Sequence, residues 1–242
     1  MTDLVKSSAK KAKTHQRYYV IIDGKKKRVP GTTTITGVMD KPALVYWANN
    51  LGLEGINVRD YVDDLANAGT CAHLMCELNC LGYEEPVSHE DMGQFTGDQI
   101  KLAKIGYEKF LNWKNKTGFI ATKNEVQLTH DRLLYGGTVD IVGYITKDYV
   151  LNNGITLYAN TKLLIDLKTS KACYGEQKTQ VCAYGMLLEH NNISYDHIII
   201  LRIGRNEEEG FEDIFITEQE KLNHQKRFKI CRNLYELNKY CK

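Results

Sequence analysis

The run Lys162-Leu163-Leu164-Ile165-Asp166-Leu167-Lys168 constrains this chain more than any other stretch. It is apolar and β-rich, and it ends with an aspartate and a lysine two residues apart. Residues i and i+2 of a strand point to the same face, so Asp166 and Lys168 face one way while Leu167 turns into the core. A second β-rich run, Gly136-Gly137-Thr138-Val139-Asp140, also ends on a carboxylate. If those two strands are neighbours, two carboxylates and one ammonium meet at one edge of a sheet. Two acids there can hold a hard divalent cation, and a lysine beside them can orient a water or neutralise a phosphate.

A chain of 242 residues with a 43% apolar and 10% aromatic content suffices for one sizeable α/β domain or two small ones. Three prolines argue against long disordered linkers. The net charge of +2 says little about partners, but its distribution is uneven. Lys6, Lys10, Lys11 and Lys13 crowd an arm over residues 1–16, and Lys25, Lys26, Lys27 and Arg28 form a second run. Such clusters can touch nucleic-acid phosphates, and they equally suit a solvated arm and a solvated turn. No apolar run reaches membrane length and no secretory pattern opens the chain, so the sequence reads as intracellular, with no membrane partner. In that setting seven cysteines, an odd number, favour free thiols over disulfides. No C-x-x-C pair is present, which disfavours a zinc ribbon.

Taken in order, Arg17 to Ile22 is β-like, and Asp23-Gly24 signals a hairpin across the lysine run. Thr32 to Met39 alternates β-branched and small residues, then Asp40-Lys41-Pro42 fits a cap opening a helix from Ala43 to Leu51. Val58 to Ala66 predicts another helix, and Thr70 to Leu81 a third, after Gly69. On that third helix His73 and Glu77 share a face. Ser88 and Asp91 have the spacing of a capping box. A long amphipathic helix spans about Gly97 to Lys116, with Ile100, Ala103, Tyr107, Phe110 and Leu111 as its buried stripe. Strands follow over Phe119 to Thr129, carrying Glu125, then Leu133 to Ile145, then Lys162 to Lys168, with an extra strand at Ile155 to Tyr158. A helix over Gly175 to Glu189, a buried strand over His197 to Ile203 and a basic helix over Thr217 to Tyr240 complete the chain. The fold class is therefore α/β (α+β), with a mixed central sheet and the order α-β-β-β-α-β between residues 97 and 203.

That order, with an acid late in the second strand and D-x-K closing the third, resembles the PD-(D/E)XK nuclease superfamily and its restriction-endonuclease-like core. Gln180-Val181-Cys182-Ala183-Tyr184 is similar to the Q-x-x-x-Y motif of the RecB-type exonuclease branch. Gly69-Thr70-Cys71-Ala72-His73 is similar to the G-x-x-x-H element on its upstream helix. The segment Arg17 to Trp47 resembles phage-encoded members of this branch and the mitochondrial genome maintenance exonuclease. One departure is Val139, where the wider superfamily has proline before the first acid. Some such nucleases carry an iron–sulfur cluster on four cysteines, but the close C-terminal pairing it needs is missing here.

The resemblance implies one nuclease domain over residues 17–242, made of an N-terminal hairpin and helical cover (17–96), a catalytic core (97–203) and a C-terminal helix (204–242). It implies Mg²⁺ or Mn²⁺ held by Asp140, Asp166, the Leu167 carbonyl and His73. Lys168 would position the attacking water or stabilise phosphate charge, and Glu125 is either a further acid of the site or a solvated strand residue. Gln180, Tyr184, Thr169 and Lys171 would contact the substrate strand, although Tyr184 also suits plain core packing. The implied activity is metal-dependent exonuclease action on DNA ends, single-stranded DNA being the expected substrate. The implied setting is phage-type recombination or repair in a host cytoplasm, beside a single-strand-binding or recombination protein. Two alternatives remain open at this point: a site-specific or structure-specific endonuclease of the same fold, and a non-catalytic DNA-binding partner.

Overall fold

The computed structural model describes residues 16–39 and 41–241. The lysines of the N-terminal arm and the expected cap Asp40 lie outside them. The chain opens with an antiparallel hairpin of β1 (Tyr18–Ile22) and β2 (Lys25–Val29). Its turn holds both Asp23 and Gly24 at positive φ, the backbone that a two-residue hairpin requires. Thr32 to Met39, an alternating stretch in sequence, instead contains a short helix, α1 (Thr32–Thr36). Thr32, Ile35 and Thr36 are its buried residues, a spacing of three and four that serves a helix as well as alternation serves a strand.

Next comes α2 (Pro42–Leu53), with Lys41 at its N-cap and no side-chain cap. The two helices expected on either side of Gly69 are one, α3 (Val58–Cys80), capped by the Asn57 side chain. Ser88 does not cap a helix; His89 takes that place, accepting from the Asp91 backbone N–H, ahead of a 3₁₀ turn over Glu90–Gln94. The amphipathic segment forms α4 (Gly97–Thr117), closed at its start by a Thr96–Gln99 capping box and at its end by Gly118. Its buried stripe contains Ala103, Tyr107, Phe110 and Trp113, with Ile100 and Leu111 only partly buried.

The strands that follow are β3 (Ile120–His130), β4 (Tyr135–Tyr144), the short pair β5 (Tyr149–Val150) and β6 (Thr156–Leu157), and β7 (Lys162–Lys168). Then come α5 (Gly175–His190), β8 (His197–Ile203), β9 (Phe211–Ile216) and α6 (Glu218–Leu237). The strand β9 was not expected. It completes a five-stranded mixed sheet of order β3-β4-β7-β8-β9, in which only the β7–β8 pair is parallel. With six α-helices among the described residues, this is a mixed α/β fold.

Each face of the sheet has its own core. One packs Cys71, Met75, Phe110 and Trp113 of α3 and α4 on Leu163, Ile165 and Leu167. The other packs Val181, Tyr184 and Leu188 of α5 and Phe228 of α6 on Leu164, Ile198 and Ile200. Because Leu163, Leu164 and Ile165 serve both faces and are fully buried, β7 sits at the centre of the sheet. Each such side chain contributes about 1.5–3 kcal/mol by leaving water. No helix among the described residues is long and apolar enough to cross a membrane.

Candidate active site

The pairing of β4 with β7 brings the two acids together. The register runs from Tyr144 beside Lys162 to Ile141 beside Ile165. One step further sets Asp140 beside Asp166, where regular pairing has ended. There the Asp140 side chain takes over the bonding: its Oδ2 accepts the Leu167 backbone N–H at 2.8 Å. Asp140 is thereby tied to the D-x-K turn itself. On β7, alternation puts Leu164, Asp166 and Lys168 on the face that α5 covers. Leu167 points the other way, into the α3–α4 core.

Asp166 is fully buried, and the Lys168 Nζ lies 2.6 Å from its Oδ2. At that length the contact is a charge-assisted one that favours the ionised form of both groups, while Asp166 Oδ1 has no hydrogen-bond partner among the described residues. Burial pushes the Asp166 carboxyl up to about 6, with Asp140 adding to the rise and Lys168 opposing it. Burial also raises Asp140, against the pull of Lys168 and the Leu167 N–H. For Lys168, burial works against the charge, but Asp166 and Asp140 outweigh it and hold the ammonium above its ordinary pKa.

His73 reaches the same place from α3. Its Nδ1 stands 3.7 Å from Asp140 Oδ2, too far for a hydrogen bond. Burial and the Lys168 charge push its pKa down to about 4, while Asp166 and the Leu167 carbonyl partly offset them. The imidazole is therefore neutral at pH 7, the form that ligates metals. The glycine one turn earlier explains how α3 comes so close. A Cβ at Gly69 would lie 2.8 Å from Thr169 Oγ1, just past the D-x-K run. A glycine inside a helix costs about 1 kcal/mol relative to alanine. Here it lets α3 pass over Thr169, which is why the helix continues where the sequence suggested a break.

Glu125 comes from the neighbouring strand. The pairs Asn124–Ile141 and Val126–Val139 bracket it, so the register sets it opposite Asp140. Its φ is +46°, a left-handed conformation that costs a non-glycine residue energy in the middle of a strand. One ligand atom each from His73, Glu125 and Asp140 lie within 4.8 Å of one another. This trio differs from the ligand set expected from sequence: it takes in Glu125, while Asp166 is engaged by Lys168.

From the opposite face α5 supplies Gln180 and Tyr184. The Gln180 Nε2 donates to the Tyr184 hydroxyl at 2.7 Å, so the two act as one unit. Tyr184 is buried, and burial followed by the nearby Asp166 and Asp140 charges drives its hydroxyl pKa far up. It is thus both a core residue and a wall of the site. Thr169 is half-buried and Lys171 exposed.

Sequence reasoning missed Tyr18 and Thr138. The Tyr18 hydroxyl shares a 2.9 Å hydrogen bond with Thr138 Oγ1, and Glu125 lies close enough to help raise its pKa, after burial. Two adjacent glycines inside a buried strand are the signal that was there to read, because they mark a close approach. A Cβ at Gly136 would overlap the Tyr18 ring, and one at Gly137 would meet Tyr184, Thr32 and Leu187. The N–H of Gly136 and its carbonyl are bonded to Pro30 and to the Thr32 hydroxyl. The N-terminal segment is therefore docked on the strand that carries Asp140.

The donor set fits a hard or borderline divalent cation. It offers carboxylates and one neutral imidazole, and Asp166 Oδ1 is buried and without a hydrogen-bond partner among the described residues. Neighbouring donors on an octahedral Mg²⁺ or Mn²⁺ stand about 3 Å apart given bonds of about 2.1 Å. No protein-family model matches this chain, and no curated protein matches it either.

Proposed function

We propose that this protein is a metal-dependent deoxyribonuclease of the PD-(D/E)XK superfamily, of its RecB-like exonuclease branch. The observation that carries the reading is the meeting of Asp140, Asp166 and Lys168 at one sheet edge. A fully buried carboxylate, one oxygen of which has no partner among the described residues, lies there beside a charged lysine and a neutral histidine. A pair this far out of water carries a desolvation cost that makes it a poor device for stability alone.

Asp140, Glu125 and His73 would hold the cation, with Asp166 and the Leu167 carbonyl beside them. When bound, a divalent cation supplies Lewis acidity to the scissile phosphate and to the attacking water. Lys168 keeps its proton, so it acts by charge and by donating hydrogen bonds to that water or to a phosphate oxygen, and not as a base. Leu167 N–H holds Asp140 in its rotamer. Gln180 and Tyr184 wall the site on the α5 side, and Thr169 and Lys171 flank the path of the backbone.

A single strand fed from its end suits the N-terminal helices. No residue of α2 is buried, and Tyr46, Trp47 and Tyr61 are 75%, 37% and 40% exposed. The Trp47 and Tyr61 rings stand 6.1 Å apart, and bases stack on such rings without regard to sequence. Lys41 is paired to Glu176 at 2.5 Å, which ties the start of α2 to α5 near the site. The test is a time course on end-labelled linear single-stranded DNA beside a closed circular strand, with Mg²⁺ or Mn²⁺ and Lys168→Ala as control. Degraded linear DNA with an intact circle is the expected result. Cleavage of the circle makes the enzyme an endonuclease, and binding without cleavage makes it a DNA-binding partner.

A further inference from the structure

A second group of metal-ligating side chains lies away from the acid–lysine edge. His130 is the last residue of β3, Asp131 opens the turn into β4, and His190 is the last residue of α5. One donor atom from each lies within 4.8 Å of the others. The imidazoles of His130 and His190 stack face to face, with centroids 3.9 Å apart and planes at 11°. His190 Nε2 lies 3.0 Å from Asp131 Oδ1. The Asn191 side chain donates to the Thr129 carbonyl at 3.0 Å, so the two segments are also joined next to the cluster.

We propose that His130, Asp131 and His190 form a second metal site, taking a borderline first-row ion such as Zn²⁺, Co²⁺ or Ni²⁺. Two imidazoles and one carboxylate are the donors such ions favour, whereas Mg²⁺ prefers oxygen alone. Bonds of about 2.0–2.1 Å put tetrahedral donors about 3.4 Å apart. Both rings must therefore leave the parallel stack, turning about their side-chain bonds until their in-plane lone pairs converge on one ion. The Leu133 N–H shares His130 Nδ1 at 3.3 Å, at the long end for a hydrogen bond, and ligation exchanges that weak contact for a metal bond. Burial, then the neighbouring His190, pushes His130 down to about 4, so it presents a lone pair at neutral pH. The ion pins the end of β3 to the end of α5. His130 lies five positions along β3 from Glu125, about 17 Å at a strand's rise. The site is distinct from the acid–lysine edge, and the proposal does not depend on the nuclease reading.

The test uses the full chain with Asp140→Asn, which silences the acid–lysine edge, titrated with Co²⁺ and followed by visible absorption. One Co²⁺ per chain is expected, with the band of imidazole ligation. His190→Gln in the same background is expected to weaken binding at least tenfold with an unchanged circular dichroism spectrum. Asp131→Asn, whose side chain is 57% exposed and so safe for folding, is expected to weaken it less. The proposal is overturned if the Asp140→Asn protein binds no Co²⁺, or if neither His190→Gln nor Asp131→Asn changes the affinity. In those cases His190 and Asp131 are only an ion pair at a helix end.

Discussion

Two carboxylate–histidine clusters among the described residues share one strand, and they differ in what surrounds them. At the Glu125 end, β4 and β7 bring acids out of water, add a largely covered lysine, and leave one carboxylate oxygen without a hydrogen-bond partner among the described residues. At the His130 end the carboxylate is more than half exposed, the rings satisfy one another by stacking, and Asp131 pairs directly with His190. The first cluster pushes carboxyl pKa values up, a cost to folding at neutral pH that a bound cation would offset. The second leaves little to offset. The contrast sets a strained, buried cluster, the proposed place of chemistry, against a relaxed surface cluster whose proposed role is to clamp two segments together.

The sharpest way to break the contrast is to remove a charge from the first cluster. Lys168→Ala and Asp166→Asn are each expected to lower DNA cleavage by a factor on the order of 10²–10³, measured by single-turnover assays. If either variant cleaves at the wild-type rate, the acid–lysine edge is not the site of chemistry. Gly69→Ala comes next. It drives a Cβ into Thr169 Oγ1 and shifts His73, for an expected stability loss of about 1–3 kcal/mol. Chemical denaturation would detect it, and adding Thr169→Ala should restore most of that loss. Without restoration, the close approach of α3 is not the reason for the glycine. Tyr184→Phe removes only the hydroxyl that accepts from Gln180, so its expected cost is about 1 kcal/mol of stability. Its cleavage should change mainly in KM if the Gln180–Tyr184 pair lines the substrate path. His190→Gln should be the mildest, with DNA cleavage within about twofold of wild type, because nothing at the His130 end touches the acid–lysine edge.

Much of the fold was legible in the sequence because its elements are strongly patterned. The apolar run of β7, the apolar β8, the stripe of α4 and the Thr217 cap of α6 each carry a period or a cap of their own. The pairing of Asp140 with the D-x-K turn followed from where the two runs end. The rest depended on contacts distant in sequence. Gly69 looks like a helix break until Thr169 is seen against it. The strand β9 (Phe-Glu-Asp-Ile-Phe-Ile) has two acids near its start, and its Asp213 is buried only because Tyr149 and the Asn152 N–H bond to it from the β5–β6 insertion. Tyr18 lies 120 residues from Thr138, and no local pattern announces that they meet. The His130–His190 stack needs the ends of a strand and a helix, sixty residues apart in sequence, brought together.

One side-by-side measurement bears on the whole account: the rate of Mg²⁺-dependent release of end label from linear single-stranded DNA by wild type, His190→Gln and Asp166→Asn. The prediction is equal rates for the first two, within about twofold, and a loss on the order of 10²–10³ for the third. Cleavage that survives Asp166→Asn, or that falls with His190→Gln, would contradict the assignment of chemistry to the acid–lysine edge.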